Sequence, residues 1–79
     1  MTDTQLKALI GCILIYKIEE TVITNVDDSF VYYITEGESK YVDKAYFVNI
    51  ILPYLKVYLT EEQNSLVSIK QYLEHYDIK

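Results

Sequence analysis

The chain lacks arginine and tryptophan entirely, and the absence of arginine is informative about its partners. All seven basic residues are lysines, against twelve acidic residues, and the formal net charge is −5. Nucleic-acid-binding domains present a basic face on which arginine contacts bases and phosphates. This composition therefore argues against direct binding to DNA or RNA.

Cysteine and long apolar runs are also scarce, and both features indicate in which cellular compartment the protein is expected. Cys12 is the single cysteine and cannot form an internal disulfide, so a reducing, cytoplasmic environment is expected. The apolar run 6–18 is too short to span a bilayer as a helix. Residues 9–12 resemble a lipoprotein cleavage box, but the positive start and apolar stretch that must precede it are missing. We therefore expect no membrane association.

Catalytic chemistry has few candidate residues in this chain. His75 is the single histidine and falls near the end of a predicted helix, while Cys12 has apolar sequence neighbours and not the cationic ones that activate a thiol. A pairing of these two side chains is not excluded by the sequence, but nothing in it favours one. There is no glycine-rich phosphate loop and no CxxC motif. The sequence predicts neither an enzyme nor a cofactor.

A partial calcium-loop pattern occurs between two predicted strands. Asn25, Asp27, Ser29 and Glu36 match four ligand positions of such a loop, but Phe30 stands where the sharp turn requires glycine. A β-turn accounts for the same residues. We therefore predict no metal site.

The 79 residues are expected to form one α+β domain, 1–79, with a small antiparallel sheet. Segments rich in β-branched and aromatic residues predict three strands, at about 13–19, 21–26 and 30–35. Polar turn residues separate them, as in a meander. Whether residues 41–42 add a short fourth strand is left open by the pattern.

Apolar residues at helical spacing predict a short N-terminal helix at about 3–10 and two C-terminal helices at about 44–59 and 61–76. Capping-box sequences at 2–5 and 60–63 mark the first and last of these helices. Pro53 is expected to kink the middle helix, because proline removes a backbone donor and clashes with the preceding turn.

Carboxylates cluster at the predicted turns and helix starts, and tyrosines lie near them. Solvated turns and helix caps account for many such carboxylates. The functional interpretation is a negatively charged surface with tyrosine as contact area for a partner. The residues expected to contact a partner are Glu19, Glu20, Asp27, Asp28, Glu36, Glu38, Asp43, Glu61, Glu62, Tyr32, Tyr33 and Tyr41.

In size, acidity and lack of catalytic residues, the chain resembles the small proteins with which bacterial viruses block host proteins, several of which mimic DNA. This resemblance concerns overall character and transfers no residue. It implies an acidic protein that binds and inhibits a basic, nucleic-acid-binding partner. The large apolar content for so small a domain further predicts a homodimer.

Two other functions remain open at this point. The chain could be a hydrophobic adaptor or assembly subunit that docks through a tyrosine-rich helical surface formed by Tyr54, Leu55, Tyr58 and Leu59. It could also be a small ligand-binding domain, which would need a pocket with converging polar groups.

Overall fold

The computed structural model describes residues 1–59 and 65–79, which form one six-stranded antiparallel sheet with short helices. The strands follow the order β4-β3-β2-β1-β5-β6 across the sheet. The expected three-stranded sheet is therefore wrong, although its meander of three strands is present inside the larger sheet. The strands are β1 Ile13–Tyr16, β2 Glu19–Val26, β3 Phe30–Thr35, β4 Glu38–Asp43, β5 Leu55–Tyr58 and β6 Leu66–Ser68.

The N-terminal helix α1 spans Asp3–Lys7 and is shorter than the predicted 3–10. Its capping box is formed as the sequence indicates. The Thr2 hydroxyl accepts from the Gln5 backbone N–H at 3.1 Å, and the Gln5 side chain accepts from the Thr2 N–H at 3.0 Å. Two backbone donors of the first turn are thereby satisfied.

The predicted helix 44–59 is wrong in its second half. Helix α2 spans Lys44–Tyr46 and continues as a π-helical turn at Phe47–Ile51 and a 3-10 turn at Leu52–Tyr54. Pro53 lies in that last turn, and strand β5 follows immediately. The helical segment thus ends near the residue expected only to kink it, because proline cannot supply the N–H that a longer helix needs.

The predicted helix 61–76 is wrong at residues 66–68, which form a strand, but a helix is present at residues 69–75, as predicted. Residues 60–64, with the capping box and Glu61 and Glu62, lie outside the described residues. Strand β6 pairs with β5, and helix α3 begins after it and spans Ile69–His75. Its cap is Ser68, whose hydroxyl accepts from the Gln71 N–H at 3.2 Å while the Gln71 side chain accepts from the Ser68 N–H.

The hydrophobic core lies between the helices and one face of the sheet, called here the inner face. Strand side chains such as Leu14, Ile23 and Val57 pack there against Leu6 of α1 and Phe47 of the π-helical turn. A bulge in β2 between residues 23 and 25 returns Val26 to this inner face, where it is buried. None of the described helices covers the opposite, outer face.

Candidate interaction surfaces

Two tight hairpin turns bring four glutamates to one end of the sheet. Residues 17–18 connect β1 to β2, and residues 36–37 connect β3 to β4. Glu36 and Gly37 have φ angles of 52° and 76°, the pair of positive values that a type I′ hairpin turn requires. We call this surface the glutamate end; it comprises Glu19, Glu20, Glu36 and Glu38, which are all exposed.

The glutamate end also carries an exposed apolar side chain. Ile18, in the β1–β2 turn, is 95% exposed. Lys17 beside it has a φ of 59°, a left-handed conformation that is uncommon for a residue other than glycine. Glu19, Glu20 and Glu36 border one shallow depression next to Ile18. The structure therefore brings together carboxylates that are separated in sequence and places an apolar contact among them.

Three predicted aspartates lie at the opposite end of the sheet and are called here the aspartate end: Asp27, Asp28 and Asp43. One carboxylate oxygen of Asp27 accepts from the N–H groups of Ser29 and Phe30 at 2.8 and 2.7 Å. Its other oxygen accepts from the Tyr32 hydroxyl at 2.7 Å. The hydroxyl bond, followed by the two backbone bonds, lowers the pKa of Asp27 below its usual value.

Asp43 also has a structural role at the aspartate end. Its carboxylate accepts from the Tyr46 N–H at 3.1 Å and thereby caps α2. Asp28 is exposed in the β2–β3 turn. The predicted acidic surface is therefore divided between two ends of the sheet, and two of the three carboxylates at the aspartate end hold the chain's own turns.

The three predicted tyrosines do not share a face. Tyr32 and Tyr41 lie on the outer face, where they form an aromatic cluster with Phe30; the ring centroids of Phe30 and Tyr41 are 5.3 Å apart and meet edge to face. The bond to Asp27 raises the pKa of Tyr32. Tyr33 points to the inner face, because successive side chains of a strand alternate. Tyr32 and Tyr41 are thus positioned for contact with a partner.

Tyr33 lines a cleft between the sheet and the π-helical turn. The cleft has a volume of about 270 Å³, and its walls include Tyr16, Tyr46 and Phe47. Glu19 and Lys40 also line it. This volume falls just below the range of roughly 300–1,000 Å³ in which small-molecule sites usually lie, so the cleft would hold a small ligand only.

The outer face of the sheet is rich in apolar side chains, and the sequence predicts a strand position for only some of them. Ile13, Ile34, Tyr58 and Leu66 are between 40% and 49% exposed. The positions of Tyr58 and Leu66 were missed because both were expected on helices. For Tyr58, the available signal in the sequence was the period of two formed by Leu55, Val57 and Leu59, which is typical of a strand. The apolar residues of the outer face are Ile13, Ile15, Val22, Phe30, Tyr32, Ile34, Tyr41, Tyr58 and Leu66.

The possible catalytic and metal-binding residues occupy structural positions. The Cys12 thiol is half-buried, 3.6 Å from the Tyr72 hydroxyl and 3.8 Å from the Ala8 carbonyl oxygen. The His75 ring meets the Tyr76 ring edge to face at 4.7 Å. Within 1–59 and 65–79, no group of three or more His, Cys, Asp or Glu side chains is arranged to hold a metal ion. In the same ranges, no helix has the length and apolar character to cross a membrane.

Comparisons with known proteins add no assignment to these surfaces. Neither the family models, nor the curated proteins, nor the solved structures include a match to this chain. The geometry and charge of the surfaces themselves are therefore the basis for assigning a function.

Proposed function

We propose that the protein is a non-catalytic interaction protein that binds and inhibits a basic protein partner through its glutamate end. The observation that carries the proposal is the convergence of two hairpin turns, which place four glutamates and the exposed Ile18 on one surface. The class of partner that fits best is a nucleic-acid-binding protein, because such proteins present lysine- and arginine-rich grooves.

Rigid hairpin turns are a favourable way to present carboxylates to a basic groove. The fields of a negative surface and a positive groove speed the encounter and favour correctly charged partners. Ile18 would add an apolar contact at the centre of the surface, where burial contributes most to affinity. Inhibition would follow because the occupied groove could not accept its nucleic acid.

The amount of charge limits how closely the protein could imitate DNA. A duplex as long as the protein's 30 Å longest dimension carries roughly 18 negative charges, at about one per 1.7 Å. The chain carries a formal net charge of −5. A local acidic contact inside a basic groove is therefore better supported than a copy of the whole DNA surface.

The other two functions have less support in this geometry. The tyrosine-rich helical surface does not exist as expected, because Leu55 and Leu59 are buried and Tyr58 lies on a strand. The small-ligand function would rest on depressions such as the cleft of about 270 Å³, which is lined by both a carboxylate and a lysine.

A pull-down with a matched charge control tests the proposal. The tagged protein is incubated with nuclease-treated bacterial lysate and washed at low and then high salt. The test variant neutralises Glu19, Glu36 and Glu38 to glutamine. The control makes the same change in net charge elsewhere, through Asp28→Asn, Glu74→Gln and Asp77→Asn, all at exposed positions.

We expect the wild type and the control to retain a basic nucleic-acid-binding protein at low salt and to release it at high salt, since screening weakens exposed charge contacts. The glutamate variant should recover at least about tenfold less, and added duplex DNA should compete with the protein for the purified partner. Equal recovery by both variants, or partners that are not basic, would disprove the role of the glutamate end.

A further inference from the structure

The outer face has a property beyond its apolar content: its residues on β3, β2, β5 and β6 are arranged symmetrically about strand β1, and β4 is an additional strand at one edge. The register pairs Ile34 with Val22 and Val22 with Ile13, and it pairs Tyr58 with Leu66. The β1–β5 register, carried one residue past Leu14 and Val57, places Tyr58 opposite Ile13. A continuous apolar row thus crosses five strands in the order Ile34, Val22, Ile13, Tyr58, Leu66.

A second row runs parallel to the first and carries opposite charges on its two sides. Ile15 pairs with Glu20 of β2 on one side and with Lys56 of β5 on the other. All three side chains point to the outer face, since they alternate with the buried residues of their strands. A carboxylate and an ammonium group therefore lie at equal distances, about 5 Å between strands, on either side of β1.

We propose that the outer face binds the outer face of a second copy of this chain, with a two-fold axis that runs along β1 in the plane between the two sheets. This rotation places Ile13 against Ile13 of the other copy. It exchanges the two sides of each row, so Val22 meets Tyr58 and Ile34 meets Leu66. It also sets Glu20 of each copy opposite Lys56 of the other.

The charges distinguish this axis from the alternative. A two-fold axis across the strands, through the Ile15 row, would set Glu20 against Glu20 and Lys56 against Lys56, and like charges in contact destabilise an interface. The axis along β1 makes both contacts attractive. It also leaves the two sheets with nearly aligned strands, a standard arrangement for sheets packed about 10 Å apart.

The size of the face limits the area that a dimer could bury. Six strands at about 4.8 Å spacing account for most of the 28 Å dimension, and the layer of helices accounts for the 19 Å thickness. The broad side of the molecule, 30 by 28 Å, therefore sets an upper limit close to the roughly 800 Å² per partner that standard interfaces bury.

The dimer would also change the glutamate end. Because the axis runs along the strands, the β1–β2 and β3–β4 turns of both copies lie at the same end of the assembly. Glu20 joins the interface, whereas Glu19 and Glu38 point to the inner face, because they pair with Tyr16 and Thr35, and Glu36 stays in the β3–β4 turn. The dimer inference does not depend on the proposed partner, and the pull-down variant above leaves Glu20 unchanged, so the two proposals can fail separately.

The first experiment compares two isoleucines of equal exposure. Ile13 is 49% exposed on the outer face, and Ile50 is 50% exposed on the helical side. Sedimentation velocity over a concentration series should show the wild type and Ile50→Lys as dimers of the 9.3 kDa chain. Ile13→Lys should raise the dimer dissociation constant at least about 30-fold, because it places two charges together at the axis. Circular dichroism checks that each variant is folded.

The second experiment uses the predicted charge pairs. Glu20→Lys alone and Lys56→Glu alone should each weaken dimerisation, since each creates two repulsive contacts. A mixture of the two variants should form a heterodimer with near wild-type affinity, because Lys at 20 of one copy then faces Glu at 56 of the other. A monomeric wild type, or single variants that dimerise as the wild type does, would overturn the proposal.

Discussion

Asp27 is a surface carboxylate that is bound by its own turn. It accepts three hydrogen bonds, from two backbone N–H groups and from the Tyr32 hydroxyl. Tyr32 in turn contacts the rings of Phe30 and Tyr41. The β2–β3 turn and the aromatic cluster are therefore joined through one side chain, and we expect their stability to depend on its charge.

Replacement of Asp27 by asparagine should lower stability near pH 7. The pKa of Asp27 in the folded state is below its value in the unfolded state. The stability that its ionised carboxylate contributes is therefore present above the unfolded pKa of about 3.9, and it is lost as the pH falls through the folded pKa. The difference between wild type and Asp27→Asn should therefore shrink below about pH 4. Urea unfolding of both proteins at pH 7 and pH 3 measures this difference in the free energy of unfolding.

Two variants control this measurement. Tyr32→Phe removes the largest contributor to the lowered pKa and should cause a smaller, similarly pH-dependent loss of stability. Asp28→Asn changes the adjacent exposed carboxylate and should have little effect at either pH. A loss of stability in Asp27→Asn that is the same at pH 7 and pH 3 would contradict the proposed role of its charge.

At the scale of elements, residues 55–59 explain why the C-terminal half was predicted incorrectly. Leu55 and Leu59 continue the helical spacing of apolar residues that begins at Phe47. Together with Val57, however, they also alternate with exposed residues, as a strand requires. A short apolar segment satisfies both patterns, and only its pairing with β1 decides between them. Strand 30–35 and the Thr2 cap could be predicted because each depends on a sequence pattern within a few residues.

The capping box of α3 gives a test at this scale. Ser68→Ala removes the acceptor for the Gln71 N–H and should destabilise the protein by about 1 kcal/mol. For a domain of this size, such a loss lowers the melting temperature by roughly 4–8 °C. Thermal unfolding followed by circular dichroism measures the shift.

Ser39→Ala provides the comparison, because Ser39 is an exposed residue of the edge strand β4. It should change the melting temperature little. If Ser68→Ala were equally neutral, the helix start at Ile69 would be in doubt.

At the scale of the whole molecule, the composition predicted an acidic surface, but it did not predict a sheet with an exposed apolar outer face. The glutamates were identified as contact residues from their turns, whereas their convergence depends on the sheet, which no single segment encodes. The outer apolar face depends on the β1–β5 pairing between residues far apart in sequence. Such long-range pairing leaves no local pattern by which it could be recognised.

Dimerisation predicts a melting temperature that depends on protein concentration. Mass action stabilises the folded state as dimers form, so a tenfold increase in concentration should raise the wild-type melting temperature by roughly 3–5 °C. Ile13→Lys should show no such dependence. Calorimetry at several concentrations measures both, and a concentration-independent wild type would contradict the dimer.

The strand order has a consequence for the time course of folding. Strands β1 to β4 pair through two- and three-residue turns, whereas β5 is separated from β1 in sequence by three strands and the helical segment. Local contacts generally form first, because closing a long loop costs more entropy. On a ribosome the meander would also emerge first. We therefore expect β1 to be transiently unpaired along one edge, and the nascent chain to be most prone to mispairing at the strand that later becomes its centre.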